Sequence, residues 1–141
     1  MSLRLPVGEV TTLLGPALAR RRILAGLDDD SARHPRGHGA QVVRVRGRAA
    51  DTLLSRHQAL DEARQAGASI VLVDRLTDGL SAAERREVLG RLHAVAAEGA
   101  AVLVDDADPV AALAIADGTL RADPARGLVL EPVQLDDYLA S

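Results

Sequence analysis

Ile70-Val71-Leu72-Val73-Asp74 and Ala101-Val102-Leu103-Val104-Asp105-Asp106 decide the fold. Each is a continuous apolar run, rich in β-branched residues and stopped by carboxylates. Runs of this kind predict strands buried on both faces, as in a parallel sheet covered by helices. Between them, Ser81 to Gly99 predicts the clearest helix. Ser81 with Glu84 forms a capping-box pattern, Val88, Leu89, Leu92, Val95 and Ala96 recur on one face, and Gly99 is placed to end it.

The same alternation extends outward on both sides. Val10-Thr11-Thr12-Leu13-Leu14 predicts another buried strand, which ends at Gly15-Pro16. Residues 17–25 suit a short helix with Gly26 as its terminator, and the polar stretch from about 28 to 40 predicts a loop. Gln41 to Arg48 alternates, with Val43 and Val45 pointing one way and Arg44, Arg46 and Arg48 the other, as in a strand with one arginine face. Residues 58–66 predict a helix closed by Gly67. Asp108 as N-cap and Pro109 as first helical residue predict a helix to about Asp117. Thr119–Ala122 and Leu128–Glu131 predict a small hairpin. The expected fold class is α/β, a mainly parallel sheet with flanking helices. We expect one domain over residues 1–132 and an acidic tail over 133–141, loose or ordered by a partner. In such sheets ligands sit beyond the C-terminal ends of strands. Those ends carry Gly15-Pro16, Asp74 and Asp105-Asp106.

Composition removes several kinds of chemistry. The chain has 141 residues, room for one core, and 48% of them are hydrophobic against 26% charged, the balance of a globular protein. Cysteine is absent, so disulfides, thiolate ligands and a cysteine nucleophile are excluded. All 17 basic residues are arginine, so a lysine Schiff base or phosphate-loop lysine is excluded. Tyr138 is the sole aromatic residue apart from the histidines, which leaves no platform for stacking bases. The net charge of −3 adds no pull toward nucleic acid, an unlikely partner. Charge is split along the chain: residues 1–70 hold eleven arginines and seven acids, residues 71–141 six and thirteen. Without a long apolar run the expected address is the cytoplasm.

Several pieces, in order, resemble an ABC-type ATPase nucleotide-binding domain. Gly8 through Pro16 resembles the strand and turn that open its phosphate loop. Ile23-Leu24-Ala25-Gly26-Leu27 is similar to the end of the helix that follows. Leu54-Ser55-Arg56-His57-Gln58 resembles an altered LSGGQ signature. Ile70 to Ser81 is similar to the Walker B strand and D-loop, and Ala101 to Asp108 to the strand and switch-histidine segment. The resemblance spans residues 3–122, with a large deletion between 28 and 53 where the family carries a helical subdomain. It implies a P-loop-NTPase-like core, ATP and Mg²⁺ as ligands, and as partner an integral membrane transporter-like protein or another ABC ATPase subunit, with a homo-oligomer possible. The protein would then be cytoplasmic, held at the membrane through its partner.

Position by position, the resemblance also implies lost chemistry. Counting from Gly15, the second glycine of the phosphate loop falls on Arg20, its lysine on Arg21 and its hydroxyl on Arg22. A planar guanidinium is no substitute for the lysine, and side chains intrude where bare backbone should wrap phosphates. Asp74 retains the Mg²⁺-side carboxylate. The general-base position is Arg75, which cannot accept a proton. The switch-histidine position is Asp106. In the signature, Arg56 and His57 replace two glycines, between Ser55 and Gln58. The expectation is a pseudoenzyme with a degenerate Walker A, a noncatalytic subunit or regulator needing no cofactor. Two alternatives stand beside it: an ATP-binding or weakly hydrolysing cassette with an arginine-substituted loop, and an adaptor for anionic lipid headgroups. No metal site is expected. His34 and His38 are separated by helix-breaking residues, and Asp108 is better explained as an N-cap.

Overall fold

The computed structural model describes residues 4–33, 41–123 and 125–133, with only the backbone of 29–33. The elements run β1 (Val10–Leu14), α1 (Ala17–Arg33), β2 (Val42–Arg46), α2 (Leu53–Gln65), β3 (Ile70–Asp74), α3 (Ala82–Gly90), α4 (Leu92–Ala97), β4 (Ala101–Asp105), α5 (Pro109–Ile115), β5 (Gly118–Asp123) and β6 (Gly127–Pro132). The strands form a six-stranded sheet in the order β2-β3-β4-β1-β5-β6. All pairs are parallel except the β5–β6 hairpin.

The order explains how the helices are shared between the faces. From β1 the chain crosses to β2 at one edge. Every later parallel crossover, β2 to β3, β3 to β4 and β4 to β5, travels back the other way. Right-handed crossovers that travel in opposite directions place their helices on opposite faces. So α1 stands by itself among the described helices on one face, with Leu24 packed on Leu13, Leu72, Leu103 and Leu120. The other face carries α2 to α5 over Val10, Val45, Val71, Val73, Val102 and Val104. Where the chain reverses, between β1 and β4, the two C-terminal strand ends border a crevice between departing elements.

Several boundaries differ from the sequence reading. Helix α1 continues through Gly26 and residues 28–33. A glycine inside a helix costs about 1 kcal/mol, too little to stop a helix anchored by buried Leu24. The stretch expected as a loop is therefore helical at its start, and residues 34–40, with His34 and His38, lie outside the described residues. The helix from Ser81 is interrupted at Arg91 into α3 and α4. Its capping box is present: Ser81 Oγ accepts from Glu84 N (3.2 Å) and Glu84 Oε1 from Ser81 N (3.1 Å). Helix α2 starts at Leu53, earlier than expected, because Thr52 caps it. Helix α5 ends at Ile115 because Asp117 turns back to the sheet, its carboxylate accepting from Val10 N (2.8 Å). The acidic tail lies beyond Val133, outside the described residues.

Candidate functional site

Four strand ends converge at the C-terminal edge of the sheet. At the end of β1, Gly15 and Pro16 form the whole connection to α1, which begins at Ala17. Gly15 has φ +125°, and a Cβ there would lie 3.1 Å from the Ala122 Cβ, so both the turn and the contact with β5 require glycine. The first turn of α1 closes with Arg20 N donating to Pro16 O (3.0 Å). Helix therefore follows the two-residue turn directly.

Arg20 points back over the strand ends. Its Nε donates to Gly15 O (3.0 Å), and its guanidinium hydrogen-bonds the Asp105 carboxylate at the end of β4. The Asp105 side chain is 2% exposed. Burial pushes its carboxyl above the ordinary aspartate range, and Arg20 opposes that shift without cancelling it. Asp74 ends β3 in register with Asp105. Its Oδ2 accepts from Arg44 Nε (3.0 Å) and Nη2 (2.7 Å), and Arg46 Nε stands 3.8 Å away. The bond to Asp74 raises the Arg44 pKa further above its ordinary value, against the cost of burial. Across adjacent strand ends the order is therefore Arg44/Arg46, Asp74, Asp105, Arg20.

Asp106 is buried in a second network. It accepts from Thr77 Oγ1 (2.6 Å) and Asp108 N (2.9 Å), and Arg85 Nε lies 3.7 Å away. Thr77 Oγ1 in turn accepts from Arg85 Nε (3.0 Å). Burial raises the Asp106 pKa, and these donors pull it back only in part. Asp108 caps α5 by accepting from Ala111 N (3.1 Å). Among the described residues no cluster of three metal-ligating side chains occurs.

The signature-like residues open α2. Arg56 is 1% exposed and donates to the carbonyls of Leu76 (2.8 Å), Arg48 (2.8 Å) and Asp51 (2.9 Å). It stitches the turn after β2 to the turn after β3. Those two turns touch closely: a Cβ on Gly47 would lie 2.6 Å from Leu76 Cα. Ser55 N donates to the Thr52 cap (3.0 Å), His57 Nε2 lies 3.3 Å from Glu87 Oε2, and Gln58 is exposed. Arg75 has φ +53° and an exposed side chain, with its backbone N bonded to Asp105 O (2.8 Å). Arg21 and Arg22 are exposed on α1.

Arg20, Asp74, Arg75 and Asp106 thus gather at one edge of the sheet, while Ser55, His57 and Gln58 lie on α2, Ser55 and Gln58 exposed and His57 largely covered. The sequence reading did not pair Asp105 with Arg20, nor Arg44 with Asp74. The signal was present in part. Val71-Leu72-Val73-Asp74 and Val102-Leu103-Val104-Asp105 end alike, so register places both carboxylates at one height.

No protein-family model and no curated protein matches this sequence. The fold does have a solved counterpart. A structure described as the ATP-binding subunit of an ABC transporter superposes with a TM-score of 0.59, over 96% of this chain and 82% of that one, at 12% sequence identity. At so low an identity the likeness concerns architecture alone: the chain has an α/β fold like that of this ATP-binding subunit.

Proposed function

We propose that this chain is a noncatalytic, ABC-ATPase-like subunit or regulator that works by binding a partner protein. One observation carries the reading: the Arg20 guanidinium lies on Gly15 O and Asp105, in the crevice where β1 and β4 diverge. A doubly wound sheet offers that crevice to ligands. Here a tethered cation fills it.

The residues present do not fit a magnesium triphosphate. Gly15-Pro16 is only a two-residue connection and Pro16 has no N–H, so it forms no loop to wrap a triphosphate; the first turn of α1 follows directly, with Arg20 bonded back to Gly15 O. The Asp74 carboxylate, the one candidate to face Mg²⁺, already accepts two hydrogen bonds from Arg44. Arg75, at the position of a general base, has no basic lone pair. No hydrolytic step is derived for this edge of the sheet.

The partner we infer is an integral membrane transporter-like protein or another ATPase subunit, by analogy with the counterpart fold. Membrane association would come through that partner, because no described helix is long and apolar enough to cross a membrane. Calorimetric titration with ATP and Mg²⁺ tests the reading, with no binding expected up to millimolar nucleotide. Micromolar binding lost in Arg21→Ala would favour an arginine-substituted cassette. ATP turnover abolished by Asp74→Asn would overturn the noncatalytic reading outright.

A further inference from the structure

The β5–β6 hairpin has an apolar strip that α1 covers only in part. Register puts Leu120, Leu130, Ala122 and Leu128 on the α1 face. Leu120 is fully buried against Leu24, but Leu130 is 40% exposed. Two hollows adjoin this strip. The one beside Pro132, where β6 ends, measures about 260 Å³ and is bordered by Glu9 and Asp117. The other, about 430 Å³, lies between Ala19 and Ile23 of α1 and Ala122 and Leu128 of the hairpin, with Arg22 at its lip. Asp123 also borders this second groove, but its carboxylate is held in the hairpin turn, where it accepts from Ala125 N (2.8 Å) and Arg126 N (3.2 Å).

Past Val133 the sequence continues Gln134-Leu135-Asp136-Asp137-Tyr138-Leu139. Leu135, Tyr138 and Leu139 have the i, i+3, i+4 spacing that gathers side chains on one side of a helical turn, with Asp136 and Asp137 on the other. An apolar stripe of this kind needs a surface to cover it. The uncovered strip is within its reach. From Val133 back to Leu128 is about 16 Å of strand. Residues 134–138 retrace that span if extended, and as a single turn they bring Tyr138 over Leu130 with its ring free to reach toward Leu128.

We propose that residues 135–139 of this chain dock on the α1 face of its own hairpin, covering Leu130 and seating Tyr138 in the groove between Ala19 and Leu128. Charge selects this groove over the nearer hollow. Arg22 attracts Asp136 and Asp137, whereas Glu9 and Asp117 repel them. The short tether from Val133 keeps the segment at high effective concentration beside its own groove, which favours that groove over one on a second copy. The segment lies across the face of the sheet and adds no strand to β6, whose Glu131 and Pro132 guard that edge.

The chain has one tyrosine and no tryptophan, so its fluorescence reports the surroundings of Tyr138. Acrylamide quenching of that fluorescence in the full chain provides the test. The expected result is quenching several-fold weaker than in the urea-unfolded chain, at a value independent of protein concentration. Ala19→Glu, which fills the groove and repels the aspartates, should raise quenching close to the unfolded value with an unchanged far-UV spectrum. Arg22→Glu, on the exposed side of α1, should raise it in part. Glu9→Gln, beside the other hollow, should leave it unchanged. A wild-type Tyr138 quenched as freely as in urea overturns the proposal. So does protection that survives Ala19→Glu, that is indifferent to Arg22→Glu, or that is lost in Glu9→Gln. Protection that grows with protein concentration overturns it too, because the segment would then sit on a second copy.

Discussion

At the start of α1 a guanidinium meets a carboxylate, and at the start of α2 a guanidinium meets only backbone. Arg20 bonds Asp105 with its side chain 18% exposed; Arg56 is 1% exposed among carbonyls of Leu76, Arg48 and Asp51. Both are positions where the sequence resemblance leads one to expect glycine. The difference teaches that an arginine near a helix start can serve either a carboxylate or a set of carbonyls. Arg20 neutralises the buried Asp105 at the sheet's crevice. Arg56 supplies donors to the carbonyls of two neighbouring turns, those of Leu76, Arg48 and Asp51.

The largest effect should come from the buried member. Arg56→Ala removes the donor to the carbonyls of Leu76 and Asp51 and is expected to cost about 3 kcal/mol or more in urea unfolding, since each buried polar group left unsatisfied costs about 1–3 kcal/mol. Arg56→Lys should recover little of it, because an ammonium cannot span three carbonyls as a fork does. A loss under 1 kcal/mol would mean that water replaces the guanidinium freely, and the contrast between the two arginines would be gone.

Arg20→Ala should cost less, about 2–3 kcal/mol, the range for a hydrogen bond to a charged group whose partner stays buried. Combining it with Asp105→Asn should return part of that loss, since the stranded charge goes too. Additive losses in this double-mutant cycle would show that the pair is not coupled.

The two regions should also differ in their response to pH. Asp105 and Asp106 have raised carboxyl pKa values from burial. In the window between an unfolded aspartate, about 3.9, and these raised values, the folded state binds more protons than the unfolded one. Their contribution to stability is therefore full below that window and falls as pH rises through it. Asp106→Asn should flatten this decline in unfolding midpoint against pH. Arg56→Ala should leave its slope unchanged, having no carboxylate bonded to it. A decline that steepens in Asp106→Asn would reverse the assignment.

The smallest effect concerns how the two helices begin. Thr52 caps α2, but α1 begins at Pro16–Ala17 with Arg20 reaching back to Gly15 O. Thr52→Ala should cost about 1 kcal/mol, the ordinary value of a side-chain cap. An effect as large as that of Arg56→Ala would put the cap, not the buried guanidinium, in charge of that corner.

Much of the architecture was legible because it depends on local chemistry. Unbroken apolar runs gave the buried strands, Ser81 with Glu84 the start of α3, and Asp108-Pro109 the start of α5. Helix ends were less legible. Gly26 reads as a terminator, but propensity is a weak force against the burial of Leu24. The Ser81–Gly99 reading likewise gave no sign of the interruption at Arg91.

The candidate site divides in the same way. The sequence alone determined that no lysine could hold a phosphate and that Arg75 could accept no proton, because those facts belong to residue chemistry wherever the chain goes. It also determined a parallel sheet whose strands end in carboxylates. Only tertiary structure decided which arginine meets which carboxylate. Asp105 lies 85 residues from Arg20 and Asp74 lies 30 from Arg44. Strand order and register bring such groups together, and no local spacing encodes them. Burial, too, was decided there. Nothing around Arg56 in the sequence marks it for burial until two neighbouring turns close over it and turn their carbonyls toward its guanidinium.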